Sequence, residues 1–414
     1  MHNSYRRVAQ AIARKLPKIA AGVLLSVYGI SANAYDWLNE WPTRLKTDAG
    51  YEFGIKGDYQ GDINKYSGDT TNPANGATLL EDQTTWRRKE FYVYGKAPWG
   101  ADFAFGYDFQ SKLWVDNFFH YGNKEVGDFR LGQFKTPVGW EEGGISSSAT
   151  TFLERSLPVQ AVNMGRRIGI DWTYQWNPQW LTTLGYFSGG DLNGDNDGNG
   201  PSAHVVFNPI KRRGEVIHLG FAVSRENRDA TSDGRDVTTP PTARFRARPE
   251  ANLTGTRLVD SGNLKNAGNI DRAGLEAAWI HGPLLLQGEY LHFNANFTDA
   301  KPNYSGNGFY VLGAWLLTGE SRDYAGGAVG NAKSAHPYGA VEIAARYSEI
   351  DLNDKPVFGG KEHDWTIGAN WYLGNHLKFQ ANYIRAYSNK LNTSLNQYLE
   401  IDPEVLELRA QIYF

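Results

Sequence analysis

The chain has 414 residues, and its 42 Lys and Arg against 45 Asp and Glu give a formal net charge of −3. It contains no cysteine, so no disulfide can form, while glycine and aromatic residues are abundant. This composition suits a large secreted β protein or a membrane barrel and does not separate the two.

The first 34 residues have the pattern of an export signal. Five basic residues accompany an apolar run over residues 19–30, and an Ala-Asn-Ala motif ends at Ala34. We therefore predict a signal peptide over residues 1–34 and a mature protein over residues 35–414. Loss of five positive charges changes the formal charge from −3 to −8. The apolar run is shorter than the roughly 20 residues of a membrane-spanning helix, so helical spans are not expected.

Apolar and polar residues alternate along much of the mature chain. This period of two residues indicates β-strands, and it is clear in residues 103–109, 168–176, 217–223 and 366–373. The same alternation continues to the last residue, Phe414. A final strand that ends on an aromatic residue resembles the assembly signal of bacterial outer-membrane barrels.

Alternation alone fits a sandwich with an apolar core as well as a barrel with an apolar face toward lipid. Two further features favour the barrel: tryptophans lie near strand ends, and short connections alternate with long ones. Ordinary core aromatics are the competing interpretation of the tryptophans. At about 24 residues for a strand and its connection, the mature chain accommodates about 16 strands. The predicted fold is therefore all-β, a single antiparallel transmembrane barrel over residues 35–414.

Arginines stand at alternate positions in one loop segment, Arg244, Arg246 and Arg248. An extended backbone places all three on one side, about 6.6 Å apart, so they could pass an anion from one site to the next. A solvated edge with unrelated charges is the alternative interpretation.

Two other pairs of arginines raise the question of which face each side chain occupies. Neighbours on a strand point to opposite faces, so only one of Arg87 and Arg88 is expected in the lumen, with the pair near an interface or beside an inward loop. The second pair is Arg166 and Arg167. Arg167 shares a face with Asp171, which suggests an ion pair in the lumen.

Residues 191–198 partly match a calcium-binding loop. Carboxylate or amide oxygens recur at alternate positions, but the glycine required at the sixth position is Asn196. A solvated turn is the favoured interpretation, and no cofactor or firm metal site is expected. The nine histidines form no convincing catalytic or metal-binding motif, so the protein is not expected to be an enzyme. The weak calcium candidates are Asp191, Asn193, Asp195 and Asp197.

Several motifs together resemble the phosphate-selective porin O and P family. Residues 131–139 read LGQFKTPVG and residues 152–155 read FLER, and the likeness extends over nearly the whole mature chain. The other motifs are residues 86–88 (WRR), 244–248 (RFRAR), 275–279 (LEAAW), 287–290 (QGEY), 317–320 (LTGE) and the final strand.

The resemblance implies a homotrimeric, 16-stranded outer-membrane barrel in contact with membrane lipid, whose third loop folds inward between about Thr136 and Gly165. It also implies passive diffusion of phosphate, pyrophosphate or polyphosphate, with no nucleic-acid partner. Asp116 matches a pore acid near the constriction. Five arginines match the family's anion-handling arginines: Arg87, Arg88, Arg244, Arg246 and Arg248. We add Arg167 to the predicted anion pathway because of the lumen face that it shares with Asp171.

Three positions depart from the family pattern. Asp58, Asp102 and Glu142 stand where phosphate-specific members carry Arg or Lys, so the positive field at the narrowest point is expected to be weaker. A general porin of low specificity is therefore an alternative to a phosphate channel. A non-conducting structural or adhesive barrel is a further alternative, which would show no current.

Overall fold

The computed structural model describes residues 39–194, 198–232 and 238–414. The predicted signal peptide lies outside these residues. The barrel strands are β1 (Glu52–Gly68), β2 (Gln83–Lys96), β3 (Ala101–Asp108), β4 (Leu113–Asn123), β5 (Gly127–Lys135), β6 (Arg166–Gln175), β7 (Trp180–Ser188), β8 (Asn199–Arg212), β9 (Glu215–Asn227), β10 (Ala267–His281), β11 (Leu284–Phe297), β12 (Tyr304–Leu316), β13 (Ala340–Asp354), β14 (Val357–Leu373), β15 (Leu377–Asn392) and β16 (Pro403–Tyr413).

The 16 strands form a closed antiparallel barrel, as predicted. Each strand pairs with its neighbours in sequence, and β16 closes the ring by pairing with β1, from Asp58 opposite Tyr413 to Gly68 opposite Pro403. Two short strands, Arg44–Lys46 and Gln397–Ile401, extend the sheet beside β1 and β15. Closure removes free sheet edges, so the strands satisfy one another's backbone hydrogen bonds.

The alternation in sequence separates a polar lumen from an apolar outer face. On β14, Trp365 and Ile367 are 57% and 60% exposed on the outside, whereas Asp364 and Thr366 are buried inside. This arrangement is the one expected for a barrel surrounded by lipid. Within the described part of the chain, no helix has the length and apolar character needed to cross a membrane.

The barrel wall is uneven in height. Strands β3 to β7 have 8 to 11 residues, whereas β13 to β15 have 15 to 17. The outer face of the low wall carries closely packed aromatic rings, including Phe103, Phe105 and Phe119. A low, aromatic section of wall therefore stands opposite a high one.

In the part of the chain that the structure describes, three connections fold into the lumen. Loop 3 (residues 136–165) contains helices α1 (Trp140–Gly143) and α2 (Leu157–Val162), and loop 5 (residues 228–266, described except for 233–237) packs beside it. The third is the inner hairpin (residues 317–339), which enters from the end that carries the chain termini and pairs Arg322–Ala325 with Ala328–Ala332. Loop 3 was predicted to fold inward, and the inward positions of loop 5 and the inner hairpin are additional findings.

Candidate functional site

The open part of the lumen lies between loop 3 and the wall formed by β1 to β6. A cavity of about 390 Å³ occurs there, with residues 143–148 of loop 3 on one side and the strands on the other. We call this region the constriction. Its charged lining residues are Lys56, Asp58, Glu90, Asp116, Lys135 and Arg166.

Lys135 and Arg166, two of the basic side chains at the constriction, are held in ion pairs. Glu142 of α1 lies between Lys135 of β5, at 2.8 Å, and Arg155 of loop 3, also at 2.8 Å. Burial raises the pKa of the Glu142 carboxyl, but Lys135 and Arg155 outweigh that effect and hold the pKa well below its ordinary value. Glu142 is therefore a permanent carboxylate that compensates two cations.

Two further ion pairs contain Asp116 and Arg88, which were predicted from the sequence as site residues. Asp116 of β4 receives a hydrogen bond from Arg166 Nε at 2.9 Å, and Arg88 of β2 binds Glu90 at 2.7 Å. Each pair is partly exposed to the lumen. Asp116 thus lies at the constriction, where the resemblance places a pore acid. Its carboxylate compensates the charge of Arg166.

Arg87 and Arg88 both face the lumen, contrary to the expectation that only one of them would. The register between β1 and β2 shifts at this point, because Gln60 pairs with Arg88 while Gly61 pairs with Trp86. A β-bulge of this kind places an extra residue on one strand and redirects its side chain. Arg87 therefore reaches loop 3, where its Nε donates to Glu154 at 2.7 Å.

The three alternating arginines of loop 5 share one face, as the spacing predicts. Phe245 between them is buried and stacks on Phe293 of β11 with ring centroids 3.6 Å apart, so the arginines point away from the wall. Arg244 pairs with Asp260, whereas no ion pair joins Arg246 to a described residue. Arg248 Nε donates to the Thr254 carbonyl at 2.8 Å. We call this group the arginine ladder.

Arg257 joins the ladder, although sequence spacing gave no indication of it. Burial and the nearby charge of Arg246 lower the pKa of Arg257 to about 10. Burial and the charges of Arg257, Arg87 and Arg246, opposed by Glu154, lower the pKa of Arg248 to about 10. Cations that depress one another's pKa values form a site with excess positive potential. Only the fold of loop 5 brings Arg257 to this group.

Arg167 does not pair with Asp171, so that expectation is wrong. Arg167 is 1% exposed and binds Glu226 of β9 at 3.1 Å, while Asp171 binds Arg130 of β5 at 2.5 Å. The partners are set by contacts between strands, because β6 lies beside β5 and the Glu226 side chain reaches across the lumen face. Arg167 lies away from the constriction.

The three acids that depart from the family pattern occupy different places. Asp58 is buried at the constriction and accepts a hydrogen bond from Ser147 of loop 3 at 2.7 Å. Glu142 is the ion-paired residue described above. Asp102 lies on β3 beside His120, 2.7 Å from its Nδ1. Two of the three acids therefore lie at the constriction.

The weak calcium candidate is only partly described. The Asn193 side chain accepts from Trp114 N at 2.8 Å and donates to Trp114 O at 3.0 Å, so its amide fastens this loop to β4. The Asp191 side chain accepts a hydrogen bond from the backbone N–H of Asn193 at 2.8 Å. Asp195 and Asp197 lie outside the described residues. Among the residues that are described, no group of three or more His, Asp or Glu is arranged to hold a metal ion.

Comparison with known proteins gives consistent matches. The model of the phosphate-selective porin O and P family matches residues 53–414. Porin O of Pseudomonas aeruginosa is 26% identical over 387 residues, covering 84% of this chain and 86% of that protein. A protein without an assigned function from Caulobacter vibrioides is 30% identical over 249 residues, which span 56% of this chain and only about half, 48%, of the relative.

The fold is also similar to that of solved barrels. The anion-selective porin from Comamonas acidovorans superimposes with a TM-score of 0.55 over 88% of this chain and 100% of that chain. The sequences are 11% identical, so this similarity shows the fold alone.

Proposed function

Because this chain belongs to the phosphate-selective porin O and P family and forms an outer-membrane channel, we propose that it passes small anions, phosphate and polyphosphate among them, by passive diffusion. The proposal rests on the arginine ladder and not on net charge, since the mature chain is acidic. A local cluster of cations in a narrow, low-dielectric passage outweighs the net charge of the whole protein.

The observation that carries the proposal is that the ladder contains more arginines than neighbouring carboxylates. Arg246, Arg248 and Arg257 project from loop 5. The neighbouring acid, Asp260, forms its ion pair with Arg244. Guanidinium groups bind oxyanions through paired hydrogen bonds, so the ladder attracts phosphate groups toward the lumen. The porin from Comamonas acidovorans, which has a similar fold, is described as anion-selective, and this agrees with the proposed passage of anions.

The constriction favours weak binding. Glu142 compensates Lys135 and Arg155, and Asp116 compensates Arg166, so these three cations already have partners when an anion arrives. Conduction requires sites that ions leave readily. We therefore propose that phosphate passes without a deep site at the constriction. The same ion pairs support the second candidate function, a general anion porin of low specificity.

Current through a planar bilayer tests the proposal. Chloride current through purified protein is measured at low salt while phosphate is added, for wild type and for Arg246→Gln. Arg225→Gln is the matched control, because Arg225 lies on β9 outside the ladder and is exposed. We expect anion-selective current that Arg246→Gln reduces at about 0.1 M salt and leaves unchanged at about 1 M, where the Debye length falls to about 3 Å.

The outcomes distinguish the candidate functions. Inhibition of chloride current by low phosphate would show a deep phosphate site and contradict weak binding. Anion current that is indifferent to phosphate supports the general anion porin. Absence of current in every condition would leave the structural or adhesive barrel, and cation-selective current would overturn the role of the ladder.

We also propose that the protein is a homotrimer in which each barrel contacts the other two subunits through its low wall. Phe103, Phe105 and Phe119 form an apolar surface on short strands, which is suited to burial between barrels. Charged substitution of Phe119, which is 59% exposed, should convert the trimer to monomers measurable by light scattering. The control is a charged substitution of Ile367 on the high wall, which should leave the trimer intact.

A further inference from the structure

The constriction carries acidic and basic side chains on different strands. Asp58 of β1 and Glu90 of β2 lie on one side of the cavity of about 390 Å³. Lys135 of β5 and Arg166 of β6 lie on the other side of the same cavity. Neighbouring strands are about 4.8 Å apart, so β2 and β5 are separated by about 14 Å along the wall. A solute in the cavity therefore lies between an acidic side and a basic side.

Asp58 is a buried carboxylate whose hydrogen-bond donors are all neutral. It is 6% exposed and accepts from Ser147 Oγ at 2.7 Å, Gln411 Nε2 at 2.8 Å and Gln60 Nε2 at 3.0 Å. No ion pair joins Asp58 to a residue that the structure describes, and the register places it directly opposite a second carboxylate, Glu90. Like charges in opposite positions repel, and a buried charge without a counter-charge is unfavourable.

Three cations lie in the neighbourhood of Asp58, and each has another contact. Arg88 binds Glu90 at 2.7 Å. Lys378 is completely buried, and its ammonium donates to a carbonyl of loop 3 at 2.6 Å. Lys56 borders the cavity, but its ammonium lies over an aromatic ring of β2, 4.8 Å from the centroid. Asp58 therefore borders the cavity without a cation of its own.

Two buried acceptors next to Asp58 also lack donors. Gln60 and Gln411 are 0% and 1% exposed, and each donates its Nε2 to Asp58. The Oε1 atom of each has no hydrogen-bond partner among the described residues. Nearly all buried polar atoms in folded proteins are hydrogen-bonded, so two such acceptors mark a place that suits a hydrogen-bond donor. An ammonium group offers three donors together with the positive charge that suits Asp58.

We propose that the constriction recognises small zwitterionic solutes, namely phosphates or carboxylates that also carry an ammonium group. The ammonium group binds at Asp58, and the oxyanion end lies toward Arg166 and Lys135. A guanidinium has five N–H donors, and the pair with Asp116 uses only Nε and Nη2 of Arg166, so further donors face the solute. The inference rests on the proposed passage of anions through the lumen and adds the substrate class.

Liposome swelling tests the proposal, because it measures the entry of solutes that carry no net charge and therefore no current. The liposomes contain purified protein, and the two probes are β-alanine, a zwitterion, and lactamide, its uncharged isomer. We expect wild type to admit β-alanine about twofold or more faster than lactamide, because weak sites hold both ends of the zwitterion. Asp58→Asn keeps a similar shape but removes the acid, so the ratio of the two rates should fall close to one.

A second variant, Arg166→Gln, tests the basic side. It should also lower the ratio of β-alanine to lactamide entry, but it should reduce anion current, whereas Asp58→Asn removes a negative charge and should not. Asp48→Asn makes the same substitution on an exposed turn and should keep the wild-type ratio. A purely structural role of Asp58 would change both swelling rates alike and leave their ratio unchanged. Folding of each variant is checked by its electrophoretic mobility before and after heating.

The two measurements keep this inference distinct from the proposed function. A wild-type ratio of one, or equal ratios in wild type and Asp58→Asn, would overturn the zwitterion proposal even if the current is anion-selective. Failure of the proposed function would instead appear as absent or cation-selective current. A site for inorganic cations alone would give a wild-type ratio of one together with lower potassium permeability in Asp58→Asn, and this result would also overturn the proposal.

Discussion

The two sides of the lumen use ion pairs for different purposes. Beside β1 to β6, the pairs at the constriction are partly exposed, as in Arg166 with Asp116, whose side chains are 19% and 29% exposed. Beside β12 to β16, Arg322, Arg346 and Arg409 are almost completely buried and bind carboxylates together with carbonyl oxygens of loop 3. The first set borders the open cavity, and the second set fastens loops to the wall.

The role of an ion pair in this barrel therefore follows from its exposure. A partly exposed pair contributes little stability because water screens it, but its field acts on ions that pass nearby. A buried pair is costly to break, because removal of one partner leaves an unpaired charge away from water. Substitutions on the buried side should therefore change stability, and those on the open side should change selectivity.

Arg346→Ala should have the largest effect. Arg346 binds Glu250 of loop 5 and Glu141 of loop 3, and it also donates to the Glu154 carbonyl at 3.1 Å. Its removal leaves two buried carboxylates without this cation, which should lower the free energy of unfolding by about 3–5 kcal/mol. Urea unfolding in detergent measures the loss, and Arg225→Ala on the exposed Arg225–Asp271 pair should show no comparable change. Equal effects of the two substitutions would contradict the distinction between buried and open sides.

Glu142→Gln tests the open side. The substitution frees Lys135 and Arg155 at the constriction, so the ratio of anion to cation permeability, read from the reversal potential in a salt gradient, should rise. Glu125→Gln makes the same charge change on an exposed turn and should leave the reversal potential unchanged. A fall in anion permeability in Glu142→Gln would show that Glu142 does not oppose anion entry.

The pH dependence of wild type follows from the depressed pKa of Glu142. A carboxyl whose pKa is lowered in the fold stays ionised through its ordinary titration range, near pH 4.3. The ion pairs that hold loop 3 are then present above that range and are lost only as the pH falls through the lower, folded-state pKa. From pH 7 to pH 5 we therefore expect no rise in anion selectivity from this residue.

The sequence allowed the barrel to be predicted because a period of two residues is a local property. The number of strands, their single closed sheet and the inward position of loop 3 followed from alternation, connection lengths and resemblance, and the structure confirms them. The alternating arginines of loop 5 share a face for the same local reason. Extended backbone alone determines that geometry.

Features that depend on distant contacts could not be predicted in the same way. The bulge that turns Arg87 into the lumen arises from its pairing with β1, and Arg167 binds Glu226, which is 59 residues away in sequence. The inner hairpin was also missed, because connections at the end of a barrel that carries the termini are ordinarily short turns. Nothing local in residues 317–339 indicates that they enter the lumen.

The inner hairpin offers the smallest expected effect and the most precise test of the buried side. Trp140 of loop 3 stacks on His218 with ring centroids 4.4 Å apart, and its Nε1 donates to the Gly327 carbonyl of the hairpin at 2.9 Å. Trp140→Phe keeps an aromatic ring but removes this donor. The free energy of unfolding should therefore fall by about 0.5–1.5 kcal/mol. Trp99→Phe, at a turn position that is 60% exposed, is the control. An unchanged unfolding midpoint in Trp140→Phe would mean that the hydrogen bond to Gly327 does not stabilise loop 3. The predicted loss would show that the hairpin supports loop 3 from the end that carries the termini.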